Sequence, residues 1–119
     1  MYKITKEFHF CASHELLHLP KTHPCYRLHG HNYVIKVELQ AKKLGADGFI
    51  VDYRKLDCIK QYIDQKLDHR HLNDVLPEGV RPTAETMAKH FYERFKLLVP
   101  ELSAVEISET PKTNARYEP

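Results

Sequence analysis

Apolar and polar positions alternate through residues 3–13, with Phe8, Phe10 and Ala12 on one face, and this predicts a strand. The alternation is cleaner over residues 29–40. There Tyr33, Ile35, Val37 and Leu39 share one face, while Asn32, Lys36, Glu38 and Gln40 occupy the other, the pattern of a half-buried strand. Between the two, residues 18–28 contain Pro20 and Pro24 and read as a loop. Lys42 to Gly48 reads as a turn. The period then changes. Leu56, Ile59, Ile63 and Leu67 recur at helical spacing, with Asp52 as the expected N-cap. A second helix is expected after Pro82, with Thr83 as N-cap and Glu85 in its positive first turn. Met87, Phe91, Phe95 and Leu98 form its apolar stripe, and Pro100 ends it. Alternation resumes over 103–110, with Val105, Ile107 and Glu109 on one face, and a short last strand is expected at Ala115–Tyr117. The order ββααββ predicts one α+β domain over residues 1–119, a four-stranded antiparallel sheet with two helices on one face. Such a sheet leaves edges open, so self-association is expected.

Composition narrows the function classes. The first residues, MYKITKEF, carry charge and lack the apolar stretch of a signal peptide, and no apolar run approaches a membrane span. A cytoplasmic protein without a membrane partner is the expectation. Three cysteines, Cys11, Cys25 and Cys58, are an odd number and are expected as reduced thiols. The net charge of +2 comes from dispersed basic residues, which argues against a nucleic-acid partner. Histidine is the unusual feature. There are nine, and five of them (positions 14, 18, 23, 29 and 31) fall between Cys11 and Asn32.

His29 and His31 are two apart on a predicted strand, so both imidazoles project from the apolar face that carries Tyr33 and Ile35. His14 ends the preceding strand on its own apolar face. Antiparallel pairing would bring His14 to the His-Gly-His pair, with Gly30 leaving room on the opposite face. Three neutral imidazoles suit Zn²⁺ and leave a fourth position for water or substrate. One histidine on an apolar face is more often an ordinary core residue, but three converging ones favour a metal. Cys25, in a loop four residues before His29, is open to two readings. It is a fourth ligand of a closed structural site, or a thiol whose pKa a cationic neighbourhood would lower. His18 and His23 read as loop residues. Cys11 and Cys58 read as small buried or half-buried side chains.

Acid–base candidates lie further on. Asp68 beside His69 could orient an imidazole for proton transfer, or the pair could simply close a helix whose C-terminus favours cations. Glu109 continues the Val105–Ile107 face. Its carboxylate either points into a pocket or marks a strand end emerging into water.

Taken together, these segments resemble the 6-pyruvoyl-tetrahydropterin synthase family over nearly the whole chain. Phe10-Cys11-Ala12-Ser13-His14 is similar to its first-strand ligand motif, and Cys25-Tyr26-Arg27-Leu28-His29-Gly30-His31 to its cysteine and His-Gly-His block. Gly48-Phe49-Ile50-Val51-Asp52-Tyr53, Leu67-Asp68-His69, Pro82-Thr83-Ala84-Glu85 and Ser108-Glu109-Thr110 follow in the family's order. The short interval between Cys25 and His29 resembles the family's queuosine-pathway branch, whereas the biopterin branch has a longer one. The resemblance implies a T-fold and Zn²⁺ on His14, His29 and His31. It implies Cys25, Asp68 and His69 as catalytic groups and Glu109 as the pterin anchor. The implied reaction converts the small-molecule substrate 7,8-dihydroneopterin triphosphate to 6-carboxy-5,6,7,8-tetrahydropterin, releasing acetaldehyde and triphosphate. The implied assembly is a homo-oligomer, a trimer closing a barrel or two trimers stacked as a hexamer, with active sites between subunits. Two alternatives stand beside it: a 6-pyruvoyl-tetrahydropterin synthase that keeps the three-carbon side chain, and a non-catalytic zinc-binding protein.

Overall fold

The computed structural model describes residues 1–119. Its frame is a long hairpin of β1 (Tyr2–His14) and β2 (His29–Ala41), paired antiparallel from Tyr2↔Ala41 to His14↔His29. β4 (Leu102–Ser108) pairs antiparallel with β2, and β5 (Ala115–Tyr117) with β4. The register sets Phe8 against Ile35, Phe10 against Tyr33, Ile35 against Ile107 and Val37 against Val105. The alternating apolar residues of three strands therefore meet on one face, and the rings of Phe10 and Tyr33 stack at 4.8 Å.

That face is covered by α1 (Asp57–Lys66) and α3 (Ala84–Lys96). Ile59 and Ile63 of α1, and Met87, Phe91 and Phe95 of α3, are fully buried against it. Removing side chains of this size from water is the main stabilising term of the domain. Thr83 accepts a hydrogen bond from the Thr86 amide at the start of α3, as its position in the sequence predicts. Asp52 behaves differently from the expectation. It caps a short 3₁₀ turn, Tyr53–Leu56, through the Arg54 amide, and α1 starts only at Asp57. The opposite face of the sheet carries Lys3, Glu38, Glu106 and Arg116, with Arg116 reaching both glutamates.

The expected four-stranded, purely antiparallel sheet is corrected in one respect. The sheet has five strands in the order β3-β1-β2-β4-β5, and β3 (Arg70–His71) lies parallel to β1. A two-residue strand has no periodicity to read. What makes it is the exit from α1: His69 adopts φ 59°, a left-handed conformation that turns the chain onto the open edge of β1. The His69 amide donates to the Cys11 carbonyl at 2.6 Å, and Asp68 Oδ1 accepts from the Cys11 amide at 2.9 Å. One further helical turn, α2 (Leu72–Val75), follows and buries Leu72. No helix is long and apolar enough to cross a membrane.

Candidate metal centre and active site

The last pair of the hairpin, His14↔His29, sets two imidazoles directly across from one another, and His31 follows opposite Ala12. The three ring centroids lie 4.4 to 5.1 Å apart, and the candidate ligand atoms all fall within 4.8 Å of one another. The close approach has a backbone cause. A Cβ added to Gly30 would sit 3.2 Å from the Ala12 carbonyl oxygen, so glycine lets the strands converge at the ligand pair.

Hydrogen bonding fixes which nitrogens face inward. His14 Nδ1 lies 2.7 Å from the Pro82 carbonyl, and His29 Nδ1 lies 2.7 Å from the Arg27 carbonyl. Carbonyls only accept, so both Nδ1 atoms carry a proton, and in the neutral rings both Nε2 atoms present lone pairs. Those two Nε2 atoms are 2.9 Å apart. With neither holding a hydrogen, the contact is repulsive until a cation lies between them. His31 Nε2 is buried and makes no hydrogen bond, although Glu109 Oε2 stands 3.2 Å away at an unsuitable angle. Converging lone pairs, outward-held Nδ1–H groups and an orphaned Nε2 fit a metal ion. Burial lowers the pKa of both His14 and His31, and the neighbouring imidazole charge adds to it; Glu109 opposes the shift for both, and the Pro82 carbonyl also opposes it for His14. Neutral imidazoles are the state a metal requires.

Tyr33 forms the floor. It is fully buried, with its hydroxyl 3.3 Å from His14 Nδ1, and burial raises its pKa far above the ordinary phenol range. Glu109 follows β4 and turns its partly buried carboxylate toward His31 rather than out into water.

Cys25 sits in a 3₁₀ turn, Pro24–Tyr26, ordered by its amide donating to His23 Nδ1 at 3.1 Å and by its carbonyl accepting from the Leu16 amide at 3.0 Å. The thiol is partly exposed and does not belong to the group of converging ligand atoms, which comprises the three imidazoles alone. A closed site of three histidines and Cys25 has no geometric support.

Asp68 and His69 form a pair, with Asp68 Oδ2 3.0 Å from His69 Nδ1. The Cys11 amide, with His69 adding to it, holds the Asp68 carboxyl below its ordinary range. The pair lies on the outer edge of the sheet beside Cys11, and the His69 side chain is 81% exposed. Cys11, expected buried or half-buried, is exposed, because it lies on the sheet face that the helices leave uncovered. Three groups escaped the sequence reading as parts of the site: the carbonyls of Pro82 and Arg27, which carry no side-chain signal, and Tyr33, which reads only as a core aromatic.

Comparison with known proteins places this arrangement. The family model described as 6-pyruvoyl tetrahydropterin synthase matches residues 3–119. The 6-carboxy-5,6,7,8-tetrahydropterin synthase of Synechocystis is 36% identical, over 98% of this chain and 93% of its own length. The dihydroneopterin monophosphate aldolase of Pyrococcus furiosus is 32% identical, over 75% of this chain and 74% of its own. Among solved structures, the 6-pyruvoyl tetrahydropterin synthase of Caenorhabditis elegans superposes with a TM-score of 0.87 at 27% identity, covering 99% of this chain and 95% of that one.

Proposed function

The chain belongs to the 6-pyruvoyl tetrahydropterin synthase family, and from that premise we propose that it is a zinc-dependent 6-carboxy-5,6,7,8-tetrahydropterin synthase. Its substrate is 7,8-dihydroneopterin triphosphate, and it serves queuosine biosynthesis as a cytoplasmic homo-oligomer. The observation that carries the reading is the trio of Nε2 atoms on His14, His29 and His31, two of them aimed by backbone carbonyls at a common point. The identity to the Synechocystis enzyme supports the carboxy branch in particular.

His14, His29 and His31 would hold the ion. When bound, Zn²⁺ supplies Lewis-acid polarisation of the substrate's side-chain oxygens. Cys25, in its ordered turn ahead of the ligand pair, removes a proton from the substrate side chain as the thiolate. Asp68 fixes the ring of His69, which passes protons on the other side of the reacting carbons. Glu109 accepts hydrogen bonds from the amino group and ring N–H of the pterin and so orients it. The remote ring thus fixes the geometry while the side chain reacts.

Because His69 is exposed on a sheet edge, a second subunit is needed to enclose the reacting groups. The trimer or hexamer implied by the family provides such cover. The test is incubation of zinc-loaded protein with 7,8-dihydroneopterin triphosphate and identification of products by mass. Carboxytetrahydropterin with acetaldehyde is expected. A pyruvoyl product would move the chain to the other branch, and no turnover by an intact, zinc-loaded oligomer would overturn the enzymatic reading.

A further inference from the structure

His14 is gripped through both of its chain neighbours by a segment some sixty residues away. The Ser13 hydroxyl lies 3.0 Å from His71 Nδ1, and His71 Nε2 lies 3.3 Å from a Glu15 carboxylate oxygen. With Nδ1 accepting from the Ser13 hydroxyl, the neutral ring carries its proton on Nε2, which faces the Glu15 carboxylate at close range without hydrogen-bond alignment. Two residues on, the Asn73 side chain accepts from the Glu15 amide at 2.8 Å and donates to the Glu15 carbonyl at 2.9 Å. These contacts lie in a part-buried setting where water competes poorly. The same short strand, β3, follows directly on Asp68 and His69.

We propose that His71 is a positioning residue that holds Ser13 by a hydrogen bond and faces Glu15, and so, with Asn73 on Glu15, fixes the aim of His14 Nε2. β2 holds His14 from one side of the sheet only. On the other side the β3 backbone pairs with β1 only as far as Ser13, and the clamp carries that hold past His14 to Glu15. Ligand atoms must be held within about 0.5 Å of their productive place, which is why a support one residue removed from the ligand matters. The inference rests on the reading of His14, His29 and His31 as a metal site. It does not depend on which pterin is made.

The test uses metal-free wild-type protein and the variants His71→Phe, His71→Gln and Ser13→Ala. Zinc affinity is measured by chelator competition, and the melting temperature of each metal-free form is measured alongside. His71→Phe should weaken zinc about tenfold, the usual scale for groups that orient a ligand. His71→Gln, whose amide oxygen can accept from the Ser13 hydroxyl as His71 Nδ1 does, should restore most of that affinity. Ser13→Ala removes one neutral hydrogen bond and should weaken zinc about threefold. In an active preparation His71→Phe should lower kcat while leaving KM nearly unchanged. Unaltered zinc affinity in His71→Phe, or a loss that glutamine does not restore, would overturn the proposal. If His71→Phe does not fold, Ser13→Ala decides, and wild-type affinity in that variant is the adverse result. A wild-type chain that binds no zinc would sink the metal reading and this proposal together. Zinc binding without pterin turnover would sink only the assigned reaction.

Discussion

Cys25 and His31 have separable duties in the proposed reaction, and single substitutions tell them apart. Cys25→Ala should keep the metal and lower turnover by at least about a hundredfold, the low end of what a positioned proton-transfer group contributes. His31→Ala should lose metal and activity together. Metal analysis and product assay on the same preparations check both, and an active Cys25→Ala enzyme would remove the thiol from the mechanism. Asp68 makes a pH prediction. Its folded pKa lies below the ordinary 3.8, chiefly through the Cys11 amide. The stabilisation is therefore present above about pH 4 and is lost as pH falls through the folded value. Asp68→Asn can still accept from that amide but carries no charge, so its melting temperature should vary less with pH on the acid side than that of wild type. Thermal melts from pH 6 to 3 check this. At this scale the sequence was most informative where chemistry resides in side chains. His14, His29 and His31 were legible from strand parity, and the structure brings their ligand atoms together. The carbonyls of Pro82 and Arg27 were not legible, because any residue type supplies one.

Long elements were read well, and of the short strands β5 was placed correctly while β3 was missed. β1, β2 and α3 each run to 13 residues, enough for period two or the helical stripe to declare itself. β3 has only Arg70 and His71, and it exists because the edge of β1 is there to receive it. Its parallel direction follows from the tight turn at His69, which no hydrophobic pattern encodes. The N-cap Thr83 was placed correctly, while Asp52 turned out to order a 3₁₀ turn ahead of the helix. The hairpin end offers a sharp test. Gly30→Ala would put a methyl group 3.2 Å from the Ala12 carbonyl oxygen, a backbone atom fixed by strand pairing. The substitution should cost about 1–2 kcal/mol and should loosen metal binding as the His14 and His29 strands part. Denaturant titration of the metal-free and metal-loaded forms measures the two effects separately.

The whole molecule is longer than its chain length suggests. Its extents are 56 × 26 × 25 Å and its radius of gyration is 15.4 Å, against about 13.5 Å for a compact chain of this size. The excess is the β1–β2 hairpin, whose outer edge is unpaired over most of β1. Near the start of that edge, Tyr2, Phe49 and Tyr53 stand exposed. An open strand beside exposed aromatics is an invitation to pair. Sedimentation at micromolar concentration should therefore give a species several times the 14.0 kDa chain, and a stable monomer would count against the barrel assembly. The exposure of His69 carries this into kinetics. In the proposed reaction His69, open to bulk water on one copy, would act where another copy covers it. Dilution would then dismantle the catalyst rather than merely thin it. The rate should rise more steeply than linearly with enzyme concentration near the dissociation range and become first order only above it.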